Sequence, residues 1–85
     1  DYVQRIKSLE GIANKHPEVK ESYAIQAGRE LRVIVQPKET NDETIHSLAT
    51  NVKNQIEEDV TYPGQVKVTV VRKLEIVEYV EKKQA

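Results

Sequence analysis

Few side chains in this sequence could do chemistry, and their spacing decides which kind. The histidines, His16 and His46, are the natural candidates for metal binding or proton transfer, because imidazole titrates near neutral pH. Neither has a carboxylate or thiolate at ligand spacing, and cysteine is absent altogether. His16 precedes Pro17 and His46 follows Ile45 on the polar side of a helix-period segment, so both read as ordinary surface residues. Glu57-Glu58-Asp59 is a carboxylate cluster at the end of that same segment, where the helix dipole disfavours it. It lacks the convergent ligands of a calcium loop and reads as a solvated helix end. Gly28-Arg29 invites a phosphate-loop reading, but no Gly-X-X-X-X-Gly-Lys pattern or helix start follows, and a turn glycine explains it. With no nucleophile–base pair and no ligand set, the sequence predicts no catalytic residue, metal or cofactor within these residues.

Composition narrows the field further. The chain has 85 residues, with 13 Lys+Arg against 14 Asp+Glu and a formal net charge of −1. Such a balance supplies no global field for nucleic acid or an anionic membrane. The 38% hydrophobic and 32% charged fractions place the chain among folded domains rather than disordered tails. A domain this small buries only roughly 60% of its unfolded surface, so a partner surface would add stability. No apolar run is long enough to span a bilayer. A chain that opens at Asp1 and contains no Met reads as a single domain, residues 1–85, cut from a longer protein.

The elements that must position these residues follow from periodicity. Val3, Ile6, Leu9, Ile12 and Ala13 form one apolar stripe at helical spacing, ended by His16-Pro17. Residues 19–27 and 30–36 alternate with period two around Gly28 and predict a β-hairpin, with Tyr23, Ile25 and Ala27 on one face of its first strand. After Pro37, Thr40-Asn41-Asp42-Glu43 fits a capping box with Thr40 as the cap, opening a second helix. Its stripe is Ile45, Leu48, Ala49, Val52, Ile56 and Val60. Pro63-Gly64 turns the chain into a strand over 66–72, with Val66, Val68 and Val70 on one face. Leu74 to Val80 is expected to prolong that strand past a bulge or to form a short separate one.

The resulting order is α-β-β-α-β, an α+β two-layer sandwich with two helices on one face of a three-stranded sheet. The last strand follows a helical crossover, which leaves it parallel to either the first or the second strand. The other sheet face is predicted to carry Gln26, Arg32, Ile34, Lys67, Thr69 and Val71, and no layer remains to cover it. Its mixture of cationic and apolar groups fits a protein-contact face better than an RNA platform, which stacks bases on aromatics. None of Tyr2, Tyr23, Tyr62 and Tyr79 is placed there by parity. An RNA reading would fall on Arg29, Arg32, Lys67, Arg72 and Lys73. The element order also suggests a KH domain, but the Gly-X-X-Gly clamp is missing.

Two stretches are more distinctive: Ser22-Tyr23-Ala24-Ile25-Gln26-Ala27-Gly28-Arg29-Glu30 with its continuation to Val35, and Tyr62-Pro63-Gly64-Gln65-Val66-Lys67-Val68-Thr69-Val70. Together they resemble the C-terminal domain of the bacterial ribonuclease Y family, from Tyr2-Val3-Gln4-Arg5-Ile6 to Glu78-Tyr79. After Arg72 the family usually runs closer to Arg-Glu-Thr-Arg-Ala, where this chain has Lys73-Leu74-Glu75-Ile76-Val77. The resemblance implies a parent with a transmembrane helix, a coiled coil, a KH domain and a catalytic HD domain, which binds divalent metal, hydrolyses RNA and initiates messenger RNA decay. That parent would sit at the cytoplasmic face of the bacterial membrane, with this cytoplasmic domain making no membrane contact of its own. No His-Asp dipeptide occurs in the chain. The expected role is a non-catalytic interaction or oligomerisation module, meeting itself, the HD domain or other decay proteins, with auxiliary binding of single-stranded RNA as the alternative.

Overall fold

The structure, a computed structural model, describes residues 2–61 and 64–83. Helix α1 (Tyr2–Asn14) leads into strands β1 (Val19–Ile25) and β2 (Glu30–Val35). A 3₁₀ turn at Pro37–Glu39 precedes helix α2 (Asp42–Asp59), and strand β3 (Lys67–Arg72) follows. The predicted α-β-β-α-β order and α+β class are what is found. In the sheet β2 is central, antiparallel to β1 and parallel to β3. The last strand therefore lies against the second, as the α2 crossover permits.

Both helices cover one face. Leu9, Ile12 and Ala13 from α1 and Leu48, Val52 and Ile56 from α2 close over Leu31, Val33 and Val35 of the central strand. Val19, Ala24, Ile45, Val60, Val66, Val68 and Val70 pack around that centre. Full burial of a Leu or Val side chain is worth about 1.5–3 kcal/mol, so the central strand anchors the domain. Val3 departs from its predicted place in the stripe and is exposed. The Glu10 carboxylate already meets Ala24, one residue from the end of β1, so the first turn of α1 overhangs the hairpin.

The start of α2 differs from expectation in its cap. Asn41, not Thr40, is the N-cap: its side chain accepts from the Thr44 amide at 2.9 Å, and Thr44 Oγ1 accepts from the Asn41 amide at 2.8 Å. Thr40 is instead drawn into the 3₁₀ turn, buried, its hydroxyl donating to the Gln36 carbonyl at 2.7 Å. The segment after Arg72 differs more. Leu74 to Val80 neither extends β3 nor forms a strand, and its apolar side chains are exposed. Among the described residues no helix is long and apolar enough to cross a membrane.

Candidate functional site

The strand register assembles the uncovered sheet face row by row. Ile25, Glu30 and Lys67 form one row, Tyr23, Arg32 and Thr69 the next, and Glu21, Ile34 and Val71 the third. Arg32, Ile34, Lys67, Thr69 and Val71 thus share a face, on the side opposite the helices. Gln26 does not join them: β1 ends at Ile25, and Gln26 lies in the turn with φ 54°. Ala27 and Gly28 follow at φ 57° and 81°, so three consecutive residues take the left-handed conformation, which only the glycine adopts without steric cost.

Tyr23 is the residue of this face that the sequence misplaces. It stands opposite Arg32 on the outer face, 45% exposed, whereas Ser22 and Ala24 turn inward. The inward pair is held by α1. Ser22 Oγ donates to Asn14 Oδ1 at 2.8 Å, and the Ala24 amide donates to Glu10 Oε2 at 2.9 Å. Small side chains at these positions let the helix approach the strand closely. The neighbouring Glu21 carboxylate pushes the Tyr23 phenol above its ordinary value of 10.0, with desolvation adding to it.

A buried carboxylate opens the central strand on this face. Glu30 is 3% exposed, and its Oε2 accepts from Arg32 Nε at 3.3 Å and Nη2 at 3.2 Å. Its carboxyl is held below the ordinary range first by the neighbouring Thr69 hydroxyl. Burial opposes this, and Arg32 and then Lys67 reinforce it. Thr69 Oγ1 itself is buried and meets no partner in hydrogen-bond geometry, so its effect on Glu30 is one of proximity rather than of a formed bond. The face as a whole sets Glu21 and Glu30 against Arg32 and Lys67, with Tyr23, Ile25, Ile34 and Val71 between them. A groove of about 520 Å³ opens beside its last row, where Ile34 and Glu21 meet Pro37 and Leu74.

The cations of the RNA reading gather only in part: Lys67 shares the sheet face with Arg32 and a groove beside the end of α2 with Arg29. Arg32 is engaged by Glu30, and Arg72 donates from Nε and Nη2 to the Pro37 carbonyl at 3.1 and 2.7 Å. Lys73 Nζ pairs with Glu75 at 3.2 Å, while Arg29 lies in the hairpin turn. The remaining candidates are dispersed. His46 is exposed on α2, and His16 Nδ1 lies 3.9 Å from Glu18 Oε1. Glu57, Glu58 and Asp59 are exposed at the end of α2, with Lys53 Nζ 3.0 Å from Glu57. Among the described residues no three His, Cys, Asp or Glu side chains gather as metal ligands would. Tyr62 lies outside the described residues.

Fold and face together define a small α+β module whose distinctive surface is the open side of its sheet. Sequence comparison places that module. The chain is 95% identical, over its whole length, to part of Ribonuclease Y 2 of Pediococcus pentosaceus, covering 16% of that protein. It is 55% identical to Ribonuclease Y 2 of Levilactobacillus brevis over 94% of the chain, and 51% identical to Ribonuclease Y of Thermoanaerobacter pseudethanolicus over 92%, covering 15% of each. It is thus homologous along its length to the C-terminal segment of ribonuclease Y. The chain spans about a sixth of the length of these curated relatives, at 16% and 15%. No family model and no solved structure matches it.

Proposed function

We propose that this domain is a non-catalytic interaction module of a ribonuclease Y-like endoribonuclease that initiates messenger RNA decay. Its outer sheet face docks protein: the parent's own HD domain or another decay protein. In this reading hydrolysis of RNA belongs to the HD domain with its divalent metal, at the cytoplasmic face of the bacterial membrane.

The observation that carries the reading is the face itself. A sheet covered on one side only leaves nine residues in register, of balanced charge and with a tyrosine and aliphatic groups interleaved. Interfaces favour this mixture, with Tyr and Arg over-represented and charge largely paired. A phosphate backbone calls for an excess of cations instead.

Titration of the isotope-labelled chain with the parent's HD domain tests it. Resonance changes are expected at Tyr23, Ile25, Arg32, Ile34 and Val71. Ile34→Asp should weaken binding by more than about tenfold, the size of a lost interface anchor. Changes scattered over the helices, or none, would sink the idea. Tyr23 beside Arg32 is the one arrangement that favours the second reading, since a base can stack on a phenol flanked by a guanidinium. Single-stranded RNA would then shift the same residues at low salt and lose them as salt rises.

A further inference from the structure

The segment after β3 has the pattern of a strand without a ladder. Leu74, Ile76 and Val80 alternate on one side and Val77 and Tyr79 on the other, with glutamates interspersed. Leu74 is 70% exposed, Ile76 76%, Tyr79 82% and Val80 100%. Exposed alternating apolar residues with unpaired backbone are a template for pairing with another strand.

The two sheet edges are not equally open. On β1 the Ala24 amide, turned away from β2, is taken by Glu10, and the register shift between Val19 and Glu21 leaves Lys20 unpaired. A bulge and an edge lysine are the devices that block strand addition. On β3 the Lys67 amide donates to the Arg29 carbonyl at 2.8 Å, which commits the odd-numbered residues to β2. The amides and carbonyls of Val68, Val70 and Arg72 therefore point to the open edge.

We propose that β3 and the segment following it pair antiparallel with the same stretch of a second copy of this chain, the two-fold axis passing through Leu74. Charge disfavours the neighbouring registers. A two-fold axis at Arg72, Lys73 or Glu75 would set that residue against its own copy, a like-charge pair. Centred on Leu74, the pairing brings Lys73 opposite Glu75 and Lys67 opposite Glu81, in both directions. Val71 then meets Val77, and Thr69 meets Tyr79. Every even-numbered residue keeps its hydrogen-bonding groups toward the partner, so no bulge is needed between β3 and the segment. On the helix side Val80 of one copy comes to Val68 of the other, which lines an open groove of about 850 Å³ between the end of α2 and the start of β3. The seam is an isologous interface, the commonest form of closed symmetry. It does not depend on what the outer sheet face binds.

The absence of cysteine makes the test direct. Val71→Cys and Val77→Cys chains, mixed and mildly oxidised, should form a disulfide-linked pair, because facing residues lie about 4.5–5.5 Å apart. Each variant alone should form far less. Sedimentation of the unmodified chain should show a dimer fraction that rises with concentration. Leu74→Asp should weaken that association by more than about tenfold, with the helical circular dichroism unchanged. A chain that stays monomeric at the highest concentration overturns the proposal. So does ready self-linkage of Val77→Cys, which would mean another register. A dimer lost in Ile34→Asp but kept in Leu74→Asp also overturns it, and assigns association to the outer face.

Discussion

Glu30 is the residue at which stability and pH meet. In the folded chain its carboxyl gives up its proton more readily than the ordinary value of 4.5, because Thr69, Arg32 and Lys67 favour the charged form. A carboxylate whose folded value is depressed contributes stability above the unfolded value, and that contribution is lost as pH falls through the folded one. The thermal midpoint should therefore drop as pH is lowered below about 4.5, the unfolded value. Glu30→Gln, which cannot titrate, should show a shallower fall across the same window in melts followed by circular dichroism. The neighbouring Tyr23 shows where residue-level reading of the sequence stops. Hydrophobicity alone turns Tyr23 and Ile25 toward the core. The structure turns Ser22 and Ala24 inward because Glu10 and Asn14, from a helix remote in sequence, supply their polar partners. Arg32, Ile34, Lys67, Thr69 and Val71 were legible, since β2 and β3 alternate without such a competing contact.

Among the elements, the helices were the most legible, because a stripe at period 3.6 needs no knowledge of the partner. Their ends were less so: Thr40 and Asn41 are both competent caps, and only the 3₁₀ turn over Pro37–Glu39 decides between them. Asn41→Ala should accordingly cost about 1 kcal/mol in a denaturant titration, whereas a competent cap at Thr40 would have made that substitution nearly silent. Helix α1 carries an avoidable weakness. A Cβ built at Gly11 meets nothing within 4 Å, so the glycine contributes only unfolded-state freedom. Gly11→Ala should stabilise the domain by about 0.5–1 kcal/mol, read from the same titration. The end of β3 was illegible for a different reason. Leu74 to Val80 has a strand's alternation, but alternation reports a capacity to pair, not the presence of a neighbour.

At the scale of the whole molecule, the domain divides into a local half and a remote one. Helix α1, β1 and β2 contact each other within residues 2–35, while β3 reaches β2 only after the entire α2 crossover. Long-range parallel pairing must meet its loop-closure cost before any contact rewards it, so β3 is expected to dock late in folding. Val70→Ala, on the inner face of β3, should cost about 1–2 kcal/mol and appear chiefly as unfolding that is faster by roughly 5–30-fold, with folding little changed. A stopped-flow chevron would show this as a shift of the unfolding arm alone.

The parallel seating of β3 has a consequence in time as well as in space. During synthesis α1 and the hairpin precede α2 and β3, so for an interval β2 has only α1 over its inner face and one vacant flank. A parallel strand cannot be recruited to that flank until a helix of 18 residues has been translated. The crossover thus acts as a delay, and the edge strand β3 is the last part of the sheet to come into existence.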